Sequence, residues 1–369
     1  MHSEEHLYAI ALRRCAKIGD INFHKLVHSA GSAKEVWGSP KRELAHILGI
    51  GSKTLEDIGS TPHLEFAENE IKFCEKHDIQ IKLRHLGDLP FLLNECEDAP
   101  AIIYQKGQAD FQRKAFSMVG TRNMTSYGRK FIEEFFSEIK KPDILSVSGL
   151  ALGVDTEVHK HSLQHHIPTI AVLAHGFHTL YPGKNRVLAQ QIIEHNGALI
   201  SEFNSSHKPD RENFIQRNRI VAGLSDTTIV VETAFGGGSI STATFANRYN
   251  REVYALPGKI TDKYSQGCNQ IIAQNKARII STIPDLIEEL GFGAKTTFME
   301  PLFPHAELRK QLTEDQKAIY EIVCQQPKIS LDEIADTTDL PSHKILPLLL
   351  DLELSGLLKS LSGRQYEAV

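Results

Sequence analysis

Seven short apolar runs between residues 115 and 281 constrain this chain more than any other feature: AFSMV, ILSVS, TIAVLA, GALIS, TTIVVE, EVYAL and ARIIS. Each is too short for a helix, and most are rich in the β-branched residues that suit a strand buried on both faces. Amphipathic stretches of helical length separate them: YGRKFIEEFFSEI, VDTEVHKHSLQHH, NRVLAQQIIEH, NFIQRNRIVAGL, ISTATFANRYN and NQIIAQN. Strands alternating with helices build βαβ units, so the expected fold is α/β, a Rossmann-like doubly wound parallel sheet with helices on both faces. Ligands in such sheets bind beyond the carboxyl ends of the strands, which directs attention to the loops after each run.

The stretch DILSVSGLALGVDTEVH, residues 143–159, is organised around one such loop. A strand ends at Ser148-Gly149 and a helix begins near Gly153. A strand that breaks at glycine and feeds a helix leaves backbone N–H groups unpaired at one point, next to the positive end of the helix dipole. That is a site for an anion such as phosphate. The spacing G-x-x-x-G fits neither the dinucleotide fingerprint nor the P-loop, which excludes an NAD site or an ATPase of those types. A glycine turn needed only for steric room is an equally good reading of this stretch alone.

The other loops repeat the chemistry. Gly120-Thr121-Arg122 follows the first run, and Lys184 and Asn185 open a helix after the third. Lys208 and Arg211 precede FIQRNR, and Thr233 to Ser239 with Gly236, Gly237 and Gly238 follow TTIVVE. Pro257-Gly258-Lys259 follows EVYAL. Glycines, small hydroxyls and cations thus gather on one rim, longer than a single nucleotide requires. Arg217 and Arg219 are two apart on a helix and point to different faces, so at most one reaches the rim. Asp155 and Glu232 are expected to hold loops by accepting backbone N–H groups. His161 and His165 share a helix face, but the spacing offers no third ligand, so no metal and no cofactor is expected.

The flanks differ in character. Residues 1–60 carry eight Lys/Arg and seven Asp/Glu, and read as short helices with glycine turns; ILGIGSKT has the form of a helix–hairpin–helix turn, while a packing domain of the same shape is the competing reading. IQIKLR and PAIIYQKG read as strands of a connecting layer. GFGAKTTFMEPLFPH reads as a linker. After it come three helical stretches and a hairpin at Ser362-Gly363, the outline of a winged helix, with seven Lys/Arg against eleven Asp/Glu from residue 301 onward. The expected division is a helical domain (helix–hairpin–helix or SAM-like) at 1–62, an α/β domain at 63–290, a linker at 291–312 and a winged helix at 313–369. Net charge is −5, so contact with nucleic acid must come from a local patch. Five cysteines without a C-x-x-C pair and a polar, acidic start fit a reducing cytoplasm, and no apolar run approaches the length of a membrane span.

Eight ordered segments together resemble the DNA-processing protein A family (DprA, also called Smf): VGTR at 119–122, SGLALGVDTEVH at 148–159, YPGKN at 181–185, GALISEF at 197–203, FIQRNRIVAGLS at 214–225, VVETAFGGGSISTA at 230–243, REVYALPG at 251–258 and GCNQII at 267–272. The family pattern departs at Leu152, where a basic residue is usual, at Ile215, where proline is common, at His178 for an aspartate, and at GGGS for SGS. The resemblance implies a cytoplasmic protein of natural transformation that is not an enzyme. It would bind incoming single-stranded DNA, protect it and load the RecA recombinase, acting as a homodimer through the later part of the α/β domain. By the same resemblance, Arg122, Ser148, Gly149, Lys184 and Arg211 contact phosphates, and Asn218 with one of Arg217 or Arg219 shapes the pocket. Gly120, Thr121, Gly153, Asn185, Gly237, Gly238 and Ser239 complete the DNA-binding rim, and Ile271 and Ile272 are the expected dimer contact. VETAFGGGSISTA is also similar to the glycine-rich loop of the nucleotide phosphoribohydrolases (the LOG or lysine-decarboxylase-like group), but no glutamate follows Gly238 in register.

Overall fold

A computed structural model describes residues 4–47, 49–140, 143–293, 312–326, 328–338, 340–355, 357–361 and 365–368. The chain forms two compact units, 1–294 and 295–369.

The first unit opens with helices α1 (Glu4–Arg14), α2 (Asp20–Ala30), α3 (Ala33–Gly38), α4 (Lys41–Leu44) and α5 (Thr61–Lys76). Within ILGIGSKT the described backbone makes one short 3₁₀ turn, Ser52–Thr54. Strand β1 (Ile79–Leu83), helix α6 (Phe91–Asn94) and strand β2 (Ile102–Gly107) follow. One apolar core runs from Ala9 on α1 through Leu26, Leu55 and Ala67 to Ile81 and Tyr104. The helices before residue 62 therefore share a core with the first two strands, because both present an apolar face to the same layer.

The alternating region gives β3 (Lys114–Val119), α7 (Ser126–Glu138), β4 (Ile144–Ser148), α8 (Val154–Gln164), β5 (Thr169–Val172), α9 (Arg186–Glu194), β6 (Ala198–Ser201) and α10 (Arg211–Gly223). It continues through β7 (Thr227–Val230), α11 (Ser239–Arg248), β8 (Glu252–Ala255), α12 (Gln266–Ala273), β9 (Arg278–Ile279) and α13 (Ile283–Glu289). The strand order is β1-β2-β6-β5-β4-β3-β7-β8-β9. The strands from β6 to β9 are parallel, whereas β1 and β2 join the same sheet antiparallel. What the sequence suggested as a separate connecting layer is thus the edge of the main sheet. Two apolar layers cover its faces, one around Val147, Ile200, Val221 and Ala243, the other around Phe116, Phe135, Val158 and Ile229. The order turns back at β3, which pairs with β4 on one side and β7 on the other. The crevice at that switch point is where such folds place ligands.

The second unit contains α14 (Glu314–Gln325), β10 (Ile329–Ser330), α15 (Leu331–Thr338), α16 (Ser342–Leu354), β11 (Leu358–Leu361) and β12 (Gln365–Ala368). The strands form a small antiparallel sheet, β10-β12-β11, over a core that includes Ile319, Ile334, Ile345 and Leu352. Strand β10 was not legible in the sequence. The capping signal at Ser330 is realised: Glu333 accepts from the Ser330 amide and hydroxyl at 2.8 and 2.7 Å, and its own amide donates to Ser330 Oγ at 3.3 Å. The hairpin turn at Ser362-Gly363 and most of the 291–312 linker lie outside the described residues.

Candidate functional site

A cavity of about 780 Å³ opens at the switch point, at the carboxyl ends of β3, β4 and β7. Three loops build it. The loop after β3 is fastened to the loop after β7 by Thr121 N donating to the Glu232 carbonyl at 2.7 Å. The Glu232 carboxylate accepts from the amide and hydroxyl of Thr125, the N-cap of α7, at 2.8 and 2.5 Å. Val154 N at the start of α8 donates to the Thr121 carbonyl at 3.2 Å. Gly153, at φ +81°, makes this crossing possible, since a Cβ there would collide with the Thr121 carbonyl and the Arg122 backbone.

The floor is a buried pair of opposite charges. Arg217 on α10 donates to the carbonyls of Gly149, at 2.6 Å, and Val172. A Cβ at Gly149 would strike the guanidinium, so this position too must lack one. Burial lowers the Arg217 pKa to about 10, with the positive charge of Arg122 adding to the effect and Asp155 opposing it. Asp155 accepts from Ala151 N at 3.2 Å; burial raises its pKa, and Arg217 pulls the other way.

The mouth is cationic and aromatic. Arg122 is exposed and lies over the Phe214 ring, its guanidinium carbon 4.9 Å from the centroid. Tyr181 meets the same ring edge-on at 5.8 Å. The N-terminal residues of two helices line the cavity, Asp210-Arg211 at α10 and Gly238-Ser239 at α11. Among the described residues, the Ser239 hydroxyl is buried without a hydrogen-bond partner. Asn218 donates to the Gly238 carbonyl at 3.2 Å and to Ser241 Oγ at 2.9 Å, fixing the glycine loop. The N-terminus of α11, which has no side-chain cap, a small hydroxyl and exposed arginines suit an anion such as phosphate, a group held without reading a base, whereas the N-terminus of α10 is capped by Asp210, whose side chain accepts from Glu212 N at 3.1 Å.

Gly120, Thr121, Arg122, Gly149, Arg211, Arg217, Asn218, Gly237, Gly238 and Ser239 are thus brought together around one cavity. The other expected residues lie outside the cavity lining or serve the fold. Ser148 is buried and its hydroxyl donates to the Met118 carbonyl at 2.8 Å, so it ties β4 to β3 and does not line the cavity. Asn185 is buried, donating to the Leu150 carbonyl at 2.8 Å and to Thr156 Oγ1 at 2.9 Å, which braces the loop from behind. Gly153 serves the loop crossing. Arg219 leaves the other side of α10 and bridges Glu202 at 2.5 Å and Asp20 at 3.2 Å, buried and away from the cavity. Lys184 is exposed but does not line the cavity. Ile271 lies in the core beside Ala255, and Ile272 is half-buried against the same cluster. Phe214 and Tyr181 were not singled out as site residues in the sequence, although each is the first residue of a motif quoted there.

Comparison with known proteins gives the family. Residues 80–291 match the model of the DNA recombination-mediator protein A family, and residues 303–364 match the DprA winged helix domain. The chain is 29% identical to protein Smf of Synechocystis over 403 residues, covering 100% of both. The X-ray structure of DNA processing protein A from Streptococcus pneumoniae superposes with a TM-score of 0.65 at 28% identity, over 77% of this chain and 97% of that one. The DNA processing protein A structure from Helicobacter pylori, which describes that protein's single-stranded DNA binding mode, gives a TM-score of 0.52 at 27% identity, over 57% of this chain and 95% of that one. With two family models matched in order and the fold shared across most of the first unit, this chain belongs to the DNA-processing protein A (DprA/Smf) family.

Proposed function

We propose that this protein binds single-stranded DNA through the cavity at the switch point, protects the strand during DNA processing in natural transformation, and passes it to the RecA recombinase without cleaving it. The observation that carries the reading is Arg122: exposed, paired with no carboxylate among the described residues, and set at the mouth of a cavity lined by two helix N-termini. The carboxylates near the loops, Asp155 and Glu232, are engaged with backbone amides of the same loops, which supports a binding role over catalysis. A homodimer acting in the cytoplasm completes the proposal; among the described residues no helix is long and apolar enough to cross a membrane. The phosphoribohydrolase reading is not favoured, since the family models match elsewhere and the start of α11 offers Ser239 and Thr242 to the cavity with no carboxylate.

The test is a titration of single-stranded and duplex oligonucleotides across a salt series with the wild type and Arg122→Ala. The wild type should prefer the single strand. Arg122→Ala should weaken binding to all sequences alike, and the salt slope should flatten by about 0.7 for each phosphate no longer neutralised. Equal affinity for duplex and single strand would sink the proposal, as would an unchanged slope in the variant.

A further inference from the structure

Four large apolar side chains stand exposed on the segments that form the same cavity: Leu152 at 39%, Tyr181 at 46%, Ile215 at 50% and Phe235 at 72% exposure. Tyr181 and Ile215 line it directly. Leu152 follows Ala151, and Phe235 sits between Ala234 and Gly236, all three of those neighbours being lining residues. Phe235 is not a side chain awaiting burial. Its loop is pinned on both flanks, by Thr233 N donating to Tyr264 O at 2.7 Å, Gly267 N to Thr233 O at 2.9 Å, and Gly237 N to Ala234 O at 2.9 Å. The ring is therefore held outward by a fixed backbone, at the edge of an anion site.

Single exposed apolar residues are ordinary, but four around one mouth are a built feature. The exposed cations there are few, Arg122 and Arg211, and Asp210 beside Arg211 offsets part of its charge. Apolar surface alternating with phosphate-binding groups matches an unpaired nucleic-acid strand, whose charged backbone is flanked by bases with free π-faces. Duplex DNA does not match, because its bases are stacked on one another.

We propose that Leu152, Tyr181, Ile215 and Phe235 form an apolar collar that holds unpaired nucleobases outside the cavity while the loops hold the strand's phosphates, a proposal that rests on the DNA-binding reading above. Phe235 is the principal stacking surface, because it is the most exposed of the four and its loop is held by backbone hydrogen bonds on both flanks. The collar tolerates any base, since every base offers a π-face.

The experiment measures fluorescence anisotropy of the full chain with two labelled 20-mers of equal phosphate count, oligo-dT and an abasic strand, at two salt concentrations. The wild type should bind oligo-dT at least tenfold more tightly than the abasic strand. Phe235→Ala should lower oligo-dT affinity about tenfold, as expected when one stacking interaction is removed, and leave the abasic strand's affinity unchanged. The salt slope should stay as in the wild type, because every phosphate-binding group is retained. Phe235→Trp should restore the discrimination, and melting curves should coincide for all three proteins. Equal wild-type affinity for both strands, or a Phe235→Ala variant that weakens both alike or neither, would overturn the collar while leaving the DNA-binding reading standing. A wild type that binds neither strand would overturn both.

Discussion

His159 lies at the end of the glycine-loop stretch yet takes no part in the cavity. It is fully buried behind β4, with Nδ1 2.8 Å from Thr169 Oγ1, next to a cluster in which Ser146 Oγ bonds both Ser162 and Thr169 at 2.7 Å. Burial lowers its pKa to about 3, and the positive charge of Arg217 adds to the effect. A histidine with a depressed folded pKa contributes stability that is complete above its unfolded value and is lost as pH falls toward the folded one. The acid limb should therefore begin near pH 6.5 and run toward pH 3, at up to about 1.4 kcal/mol per pH unit from this group. His159→Asn should lose some packing stability at pH 7 but flatten that limb. Urea midpoints measured from pH 4 to 8 decide it, and parallel pH profiles for both proteins would show that His159 does not control the limb.

At the scale of elements, α10 does two unrelated jobs from residues two apart. Arg217 points into the cavity and braces the Gly149 turn, whereas Arg219 points to the N-terminal helices and joins Glu202 and Asp20. Burial raises the Glu202 pKa to about 7, with Arg219 opposing. Asp20 also accepts from Arg13 at 3.0 Å and from the amide of Ala101, the residue before β2, at 3.0 Å, so the cluster links α1, α2, the approach to β2 and α10. Removing one member strands buried charge, which costs about 3–5 kcal/mol. Arg219→Ala should therefore lower the urea midpoint markedly while single-strand affinity, measured well below the unfolding transition, stays within about threefold. A hundredfold loss of affinity in a folded variant would put Arg219 back on the DNA path.

The second unit is acidic, and its third helix, the one that enters DNA in helix-turn-helix proteins, presents Leu346, Leu350 and Leu354 to solvent. A row of leucines with Asp351 beside it offers little to phosphate. A chain ending after Gly293 should keep single-strand affinity within a few-fold of the full chain, and a hundredfold loss would show the charge argument to be wrong. The cut must not fall earlier: Phe292 is buried against Phe116, and its carbonyl accepts from Lys140 N at 3.0 Å.

Strand–helix alternation, the glycine at 149 and the cations of the loops were legible in the sequence because each is a local matter of period, turn geometry or charge. From these followed the α/β class, the carboxyl-edge rim and most residues around the cavity. Depth was not legible. Ser148, Asn185 and Arg219 have the residue types of ligand contacts, and only the packed structure decides that their polar atoms are used inside the protein. Ile271 looked like spare apolar surface until α12 was seen against β8. The antiparallel edge formed by β1 and β2, and the meeting of Tyr181 with Ile215 around one cavity, depend on pairings between distant segments. A one-dimensional pattern fixes which face of an element is apolar; which faces meet is settled by long-range packing.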